Sequence, residues 1–423
     1  MNSYFDKAIG NLVKWIKIKS VKESPDKNAP FGRGISKMLN VALQDASALG
    51  FECKNYDRYV GEVIFGDGDD EKGLAVLCHL DVVPEGDEKS WKFPPYSAKI
   101  ENGVLYGRGV VDDKAPACLC LYALKELKDC GFVPKRKIKL ILGCDEESGW
   151  ACMEHYKKVA VMPDEGFSPD GDFPVLYAEK GILHVEYLFP IDKRVESVVG
   201  GERVNVVCDS AVAVINENVV LKGIDNLKVD GCQVSAKGKS AHGSTPELGE
   251  NAIKKLLKVF AENELFDKET YNNLFEDALN LSNVQDETGV LTFSPNVVRA
   301  SDGILSIKVD VRYPSTKNYQ EIIGELEKIG KFKILHHQKP LYSDSQGKLV
   351  KTLLGVYNKI TGEDAKPITT GGGTYARALK NGVAFGPSFK GEAKCHVPNE
   401  CASLLDLEKC YEIYKTAIKT LCE

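Results

Sequence analysis

Two short stretches of this chain could do chemistry: Cys78-His79-Leu80-Asp81 and Gly143-Cys144-Asp145-Glu146-Glu147-Ser148. Each closes an apolar run, at residues 74–77 and 138–142, so each sets polar side chains where a buried strand ends. In parallel α/β sheets that edge is where ligands bind. A histidine and an aspartate two apart, with two adjacent glutamates, can hold a divalent metal and deprotonate a water. The chemistry they point to is hydrolysis.

Side chains two apart on an extended segment point the same way. Asp81 can therefore sit behind His79, accept its second ring N–H and fix the metal-binding tautomer. A strand-end histidine capped by a neighbouring aspartate has the same sequence, and both readings stand. In Tyr106-Gly107-Arg108-Gly109-Val110-Val111-Asp112-Asp113-Lys114 the glycines allow a tight path and paired acids precede a helix. Those acids suit helix caps as well as metal ligands. Glu146 and Glu147 face opposite sides of an extended chain, so one can bind a metal while the other takes a proton from water. Asp170 lies in the turn-like Ser168-Pro169-Asp170-Gly171, and His396, in Lys394-Cys395-His396-Val397-Pro398-Asn399-Glu400, precedes the last helix. His155, His184, His336 and His337 fall on helical or strand patterns without acidic companions and read as structural or exposed. Three more polar residues stand out: Asn205, His242 in Gly238-Lys239-Ser240-Ala241-His242-Gly243, and Arg312. By themselves, Arg312 with Asp310 reads as a surface ion pair and His242 as a loop residue.

The elements that must position these groups follow from hydrophobic spacing. Helical periods cover residues 4–18, 34–49 and 115–130, the last two stopped by Gly50 and Gly131. Strands are expected at 63–65, 74–77 and 137–142, and this strand–helix–strand rhythm predicts a mainly parallel sheet. From about Gly181 to His336 the period becomes two, as in Ser306-Ile307-Lys308-Val309-Asp310-Val311-Arg312, which suggests antiparallel strands with one wet face. Helical stretches at 251–266 and 271–281 interrupt it. After Pro340 the α/β pattern returns, with helices at 348–360 and 403–421 and a glycine cluster at Gly371, Gly372 and Gly373. The architecture expected is a discontinuous α/β domain, residues 1–182 and 337–423, with an α+β domain, 183–336, inserted into it.

Composition narrows the function. The net charge of −6 is spread along the chain, with no basic tract for nucleic acid or a membrane surface. Met1-Asn2-Ser3-Tyr4-Phe5-Asp6 lacks the basic and apolar regions of a secretory leader. No apolar run reaches the ~20 residues that cross a bilayer. The 13 cysteines are odd in number and irregular in spacing, and Cys78, Cys118, Cys120 and Cys144 read as buried hydrophobes. A cytoplasmic location is expected.

Taken together, these motifs resemble the cocatalytic zinc metallopeptidase family that contains PepV-type dipeptidases, carnosinases, succinyl-diaminopimelate desuccinylase and aminoacylases. The resemblance runs in order through His79-Leu80-Asp81-Val82-Val83-Pro84, Gly107-Arg108-Gly109 to Lys114, Asp145-Glu146-Glu147-Ser148, Ser168-Pro169-Asp170 and His396. The PepV-type branch is favoured by Phe173-Pro174-Val175-Leu176-Tyr177-Ala178-Glu179-Lys180-Gly181, Gly371-Gly372-Gly373-Thr374-Tyr375-Ala376-Arg377 and Asn381-Gly382-Val383-Ala384-Phe385-Gly386-Pro387. It implies a zinc-exopeptidase-like catalytic domain and a lid. His79 and Asp170 would hold one metal, Glu147 and His396 the other, and Asp112 would bridge both. Asp81 would orient His79, and Glu146 would be the general base. His242 would polarise the scissile carbonyl, while Asn205, Arg312 and the Gly371, Gly372 and Gly373 loop would bind substrate. Nitrogen and carboxylate donors suit Zn²⁺, with Mn²⁺ or Co²⁺ as alternatives. Many relatives dimerise through a shorter lid; the extra portion here, about 205–232, resembles PepV-type lids that act within a monomer. Ala115 departs from the glycine many relatives carry. The activity implied is a dipeptidase acting on a small peptide; the alternative is an N-acyl-amino-acid or succinyl-diaminopimelate amidohydrolase with the same centre.

Overall fold

A computed structural model describes residues 3–389 and 395–423. Met1 and Asn2 of the leader argument and Lys394 of the His396 stretch lie outside them. The chain divides into two units. The first comprises Met1–Tyr177, Tyr342–Ile368 and Thr374–Glu423, and the second Ala178–Leu341 and Thr369–Gly373. These junctions differ from the expected 182/183 and 336/337 because the strands Gly181–Pro190 and Phe332–Gln338 pair with each other. Both strands therefore fall whole within the second unit. Thr369–Gly373 joins it as well, which no local pattern indicated.

In the first unit a strand with no polar face must be covered on both sides, and all six residues of Leu74–His79 are buried. Its neighbours on either side, Ile138–Gly143 and Glu165–Ser168, run parallel to it, and Asn381–Ala384 extends the parallel set. The hairpin Glu52–Tyr56 and Val60–Phe65 adds antiparallel strands beside Ile138–Gly143. On the far side Ala384 pairs antiparallel with Leu176, so the sheet is parallel at its centre and antiparallel on both flanks, mixed rather than mainly parallel as expected. Helix Ser3–Ile16 packs on Lys114–Asp129, which packs on Leu404–Cys422. Their apolar stripes include Leu12, Trp15, Leu119, Leu127, Tyr411 and Ile418, all buried; each such side chain contributes roughly 1.5–3 kcal/mol. Gly50 and Gly131, both at positive φ, end two of the helices as expected. Cys78, Cys118, Cys120 and Cys144 are buried and unpaired.

The second unit holds an eight-stranded sheet in the order Leu227–Asp230, Gln233–Lys237, Ser210–Ile215, Val195–Gly200, Thr292–Ser301, Ile304–Tyr313, Gly181–Pro190, Phe332–Gln338. Every neighbouring pair is antiparallel. Leu183, Val185, Tyr187 and Phe189 alternate inward and share one core with Ile253, Leu256, Leu257 and Phe260 of helix Ala252–Glu262. Asn251 caps that helix by accepting the Ile253 and Lys254 N–H groups, a contribution of about 1 kcal/mol. The second interruption is shorter than its apolar pattern suggested: helix Lys268–Phe275, then a single turn at Leu281–Asn283. Among the described residues no helix is long and apolar enough to cross a membrane.

Candidate metal centre

Three parallel strands end side by side, at His79, Gly143 and Ser168. The residues that follow them carry Asp81, Glu146, Glu147 and Asp170 to one sheet edge. Close approach requires glycine at Gly143, because a Cβ there would lie 2.3 Å from the Tyr375 hydroxyl. Tyr375 also sets its ring against that of His79, centroids 5.9 Å apart.

Asp112 occupies the middle. Its Oδ1 is 2.7 Å from His79 Nε2, and its Oδ2 is 2.8 Å from His396 Nε2. Asp170 Oδ2 is 4.0 Å from His79 Nε2, and Glu147 Oε2 is 3.0 Å from His396 Nε2. All five residues given ligand roles thus converge within the first unit, and the Asp112 carboxylate faces both histidines.

The donors suit cations. His79 Nε2 faces Asp112 Oδ1 at 2.7 Å and Asp170 Oδ2 at 4.0 Å, and one ligand atom from each of the three residues lies within 4.8 Å of the others. A nitrogen and two carboxylates gathered this closely suit a divalent cation. Burial, and next the Asp170 charge, pushes the Glu146 carboxyl well above the usual range; burial and the Asp112 charge do the same to Asp170. Divalent cations would offset the charge repulsion that adds to burial here. Cys395 also lies within reach of Asp112 and His396. Cys395 is exposed, and the remaining donors of the cluster are nitrogen and carboxylate.

The surrounding acids raise both imidazoles: burial opposes this, but contact with Asp112 outweighs it at His79, and Asp112 with Glu147 raises His396 to about 12. A cation competes with protons for these nitrogens, so affinity should strengthen as pH rises. Calorimetry of Zn²⁺ binding at neutral pH in buffers of different ionisation enthalpy should register proton release. Binding without release would contradict the ligand assignment.

The turns around the centre differ in one respect from expectation. His79 Nδ1 pairs with the main-chain carbonyl of Asp81 at 2.9 Å, while the Asp81 carboxylate is 3.7 Å away. That carboxylate is already engaged. Its two oxygens accept the main-chain N–H groups of Glu146 and Glu147, each at 3.1 Å. Asp81 therefore fixes His79 through its backbone and the glutamate pair through its side chain. Burial holds its carboxyl up at about 6, against the opposing pull of His79.

Sequence reasoning assigned no role to several further residues. Asp145 is buried and accepts Lys22 Nζ at 2.6 Å, Ser148 Oγ at 2.7 Å and the Ala151 N–H at 3.0 Å, which fixes the loop bearing Glu146 and Glu147. Asp113 accepts the His79 N–H at 3.0 Å. Lys114, buried, donates to the Ile18 carbonyl at 2.7 Å and ties down the end of the first helix. Their acidic or basic type was legible, but their partners are distant in sequence.

In the second unit Asn205, His242, Arg312 and Gly371 form one connected group. The Gly243 N–H donates to the Asn205 carbonyl at 2.8 Å. A Cβ at Gly243 would lie 2.2 Å from Asp310 Oδ2. Arg312 donates to both Asp310 oxygens at 2.7 and 2.9 Å, and to the Gly371 carbonyl at 3.3 Å. This pair is not on the surface, as its strand pattern implied; Arg312 is 3% and Asp310 0% exposed. Loops from distant parts of the chain cover it. The His242 Nδ1 pairs with Ser244 Oγ at 2.7 Å. Two of the other histidines do have acidic companions, contrary to expectation. His155 Nε2 lies 2.9 Å from Asp57, and His184 Nε2 3.8 Å from Asp310.

Residues 75–420 match the family "Peptidase family M20/M25/M40". The chain is 35% identical to "Putative dipeptidase YtjP" of Bacillus subtilis (strain 168), over 98% of this chain and 97% of that protein. Its fold resembles human carnosine dipeptidase 1, with a TM-score of 0.63 at 15% identity, covering 99% and 96% of the two chains. It also resembles the Bacillus subtilis YXEP protein, described as a dinuclear metal binding peptidase, with a TM-score of 0.61 at 9% identity over 99% and 98%.

Proposed function

The chain belongs to peptidase family M20/M25/M40, and from that membership we propose that it is a metal-dependent dipeptidase. The observation that carries the reading is Asp112, whose two oxygens each face a different histidine, beside a second acid for each histidine. His79, Asp112 and Asp170 would hold one cation and His396, Asp112 and Glu147 the other, with Zn²⁺ the metal proposed. When bound, the cations supply Lewis acidity that acidifies a water and polarises the scissile carbonyl.

The chain's own groups do the rest. Glu146 accepts the proton of the attacking water as its oxygen joins the carbonyl carbon. The same carboxyl then delivers that proton to the departing amine nitrogen as the C–N bond breaks. Asp81 holds the Glu146 main chain while this happens. His242 is assigned to the scissile carbonyl, and Asn205 and Arg312 to the substrate's terminal carboxylate, with the glycine loop alongside. After its bonds to Asp310 and Gly371, Arg312 keeps one N–H on each terminal nitrogen, enough for a two-pronged contact. We assign the protein to the cytoplasm as a monomer.

A panel of dipeptides tests this. The metal-reconstituted protein should release free amino acids from unmodified dipeptides, and amidation of the C-terminus should raise KM. N-acetylated and N-succinylated amino acids are the controls. Hydrolysis confined to those controls would move the protein to the amidohydrolases.

A further inference from the structure

Glu400 lies on the same segment as His396, yet its side chain is fully buried and turned toward another loop. Its Oε1 accepts the main-chain N–H groups of Gly109 at 3.0 Å, Val111 at 2.8 Å and Asp112 at 3.3 Å. Its Oε2 accepts Arg108 Nη1 at 2.6 Å, and its main-chain carbonyl accepts the Gly107 N–H at 3.0 Å. One residue thus satisfies most of the N–H groups along the turn that presents Asp112. The convergence depends on Gly109, whose φ of +92° swings successive amides inward to form an anion-binding concavity.

The anchor is itself anchored. Arg108 is 1% exposed, donates to the Pro84 carbonyl at 3.4 Å and places its guanidinium 5.2 Å from the Trp91 ring centre. The partners of the Glu400 carboxylate are all donors. A buried charge is tolerated only when paired and hydrogen-bonded, and losing one partner is expensive. This cluster sits on a loop whose outlet is Asp112, in neither a strand nor a helix.

We propose that Glu400 is a positioning residue of the metal centre: it fixes where Asp112 meets His79 and His396 and couples the His396 segment to the 107–112 turn. The inference rests on the reading of Asp112 and His396 as ligands. Without the two acceptor oxygens of Glu400 the turn would relax, and Asp112 could no longer serve both histidines at once.

The test uses Co²⁺ as a spectroscopic probe in the full chain. Glu400→Gln keeps the shape but turns an N–H₂ group toward Arg108 or toward the amides. Its affinity for the weaker Co²⁺ equivalent should fall ~10–100-fold, as when a group supporting a ligand is lost. The visible bands should shift, and kcat should fall at least ~10-fold with KM little changed. Glu62→Gln is the structural control. It breaks a buried ion pair with Lys139 at 3.1 Å elsewhere in the unit and should lower Tm without altering the Co²⁺ spectrum. If Glu400→Gln does not fold, Arg108→Met removes one partner of the carboxylate and should give the same spectral change to a smaller degree. A folded variant with wild-type Co²⁺ affinities and bands would overturn the proposal. A wild-type protein that cleaves no dipeptide would sink the functional reading, while the Co²⁺ comparison would still decide the role of Glu400.

Discussion

Replacing Glu146 with alanine is expected to lower kcat for dipeptide hydrolysis ~10²–10⁴-fold, the range a well-placed general base supplies. The cations should remain, because Glu146 is not among the residues facing His79 or His396. Its main-chain N–H is held by Asp81, so the loop keeps its shape when the side chain is shortened. The charge balance also favours the assignment. Burial, and next the Asp170 charge, raises the Glu146 carboxyl above the usual range, the direction a proton-accepting base near neutral pH needs. Paired measurements of kcat and bound metal check this; full activity in the variant would remove Glu146 from the mechanism.

The larger structural effect is expected at Asp112. Asp112→Ala removes the only carboxylate that faces both histidines among the described residues, so both cations should be lost together. The affinity loss should exceed the ~10–100-fold typical of removing a group that merely orients a ligand. Asp170→Ala and Glu147→Ala lie on opposite sides and should each weaken one cation more than the other. Elemental analysis after dialysis distinguishes the outcomes. If Asp112→Ala retains its full metal complement, the bridging assignment fails.

How much of this was legible before the fold was seen depends on range. A buried strand that ends in polar residues declares itself locally, which is why His79, Asp81, Glu146 and Glu147 could be placed at strand ends from two short runs. Gly50 and Gly131 announced helix ends by the same local logic. The strand Glu165–Ser168 escaped notice because Glu-Gly-Phe-Ser has no apolar run; its pairing with Leu74–His79 makes it a strand. Glu52–Tyr56 is an exposed edge, with polar residues at most positions, and gave no signal either. Asp310 and Arg312 illustrate the harder failure. Alternation put them on a wet face, but residues around Gly243 and Gly371 close over that end of the strand. The Asp81 carboxylate was assigned to the wrong partner for a related reason, since nothing in its own segment shows that the Glu146 and Glu147 amides point at it.

The return of Thr369–Gly373 to the second unit limits how such a chain can be rearranged. A contiguous cassette cut at Ala178 and Leu341 would leave behind the carbonyl of Gly371 on which Arg312 rests. Shuffling that module into another host as a single insert would strand a buried guanidinium short of one acceptor. Transplants need two grafts to succeed, so recombination should exchange these proteins whole more readily than in parts.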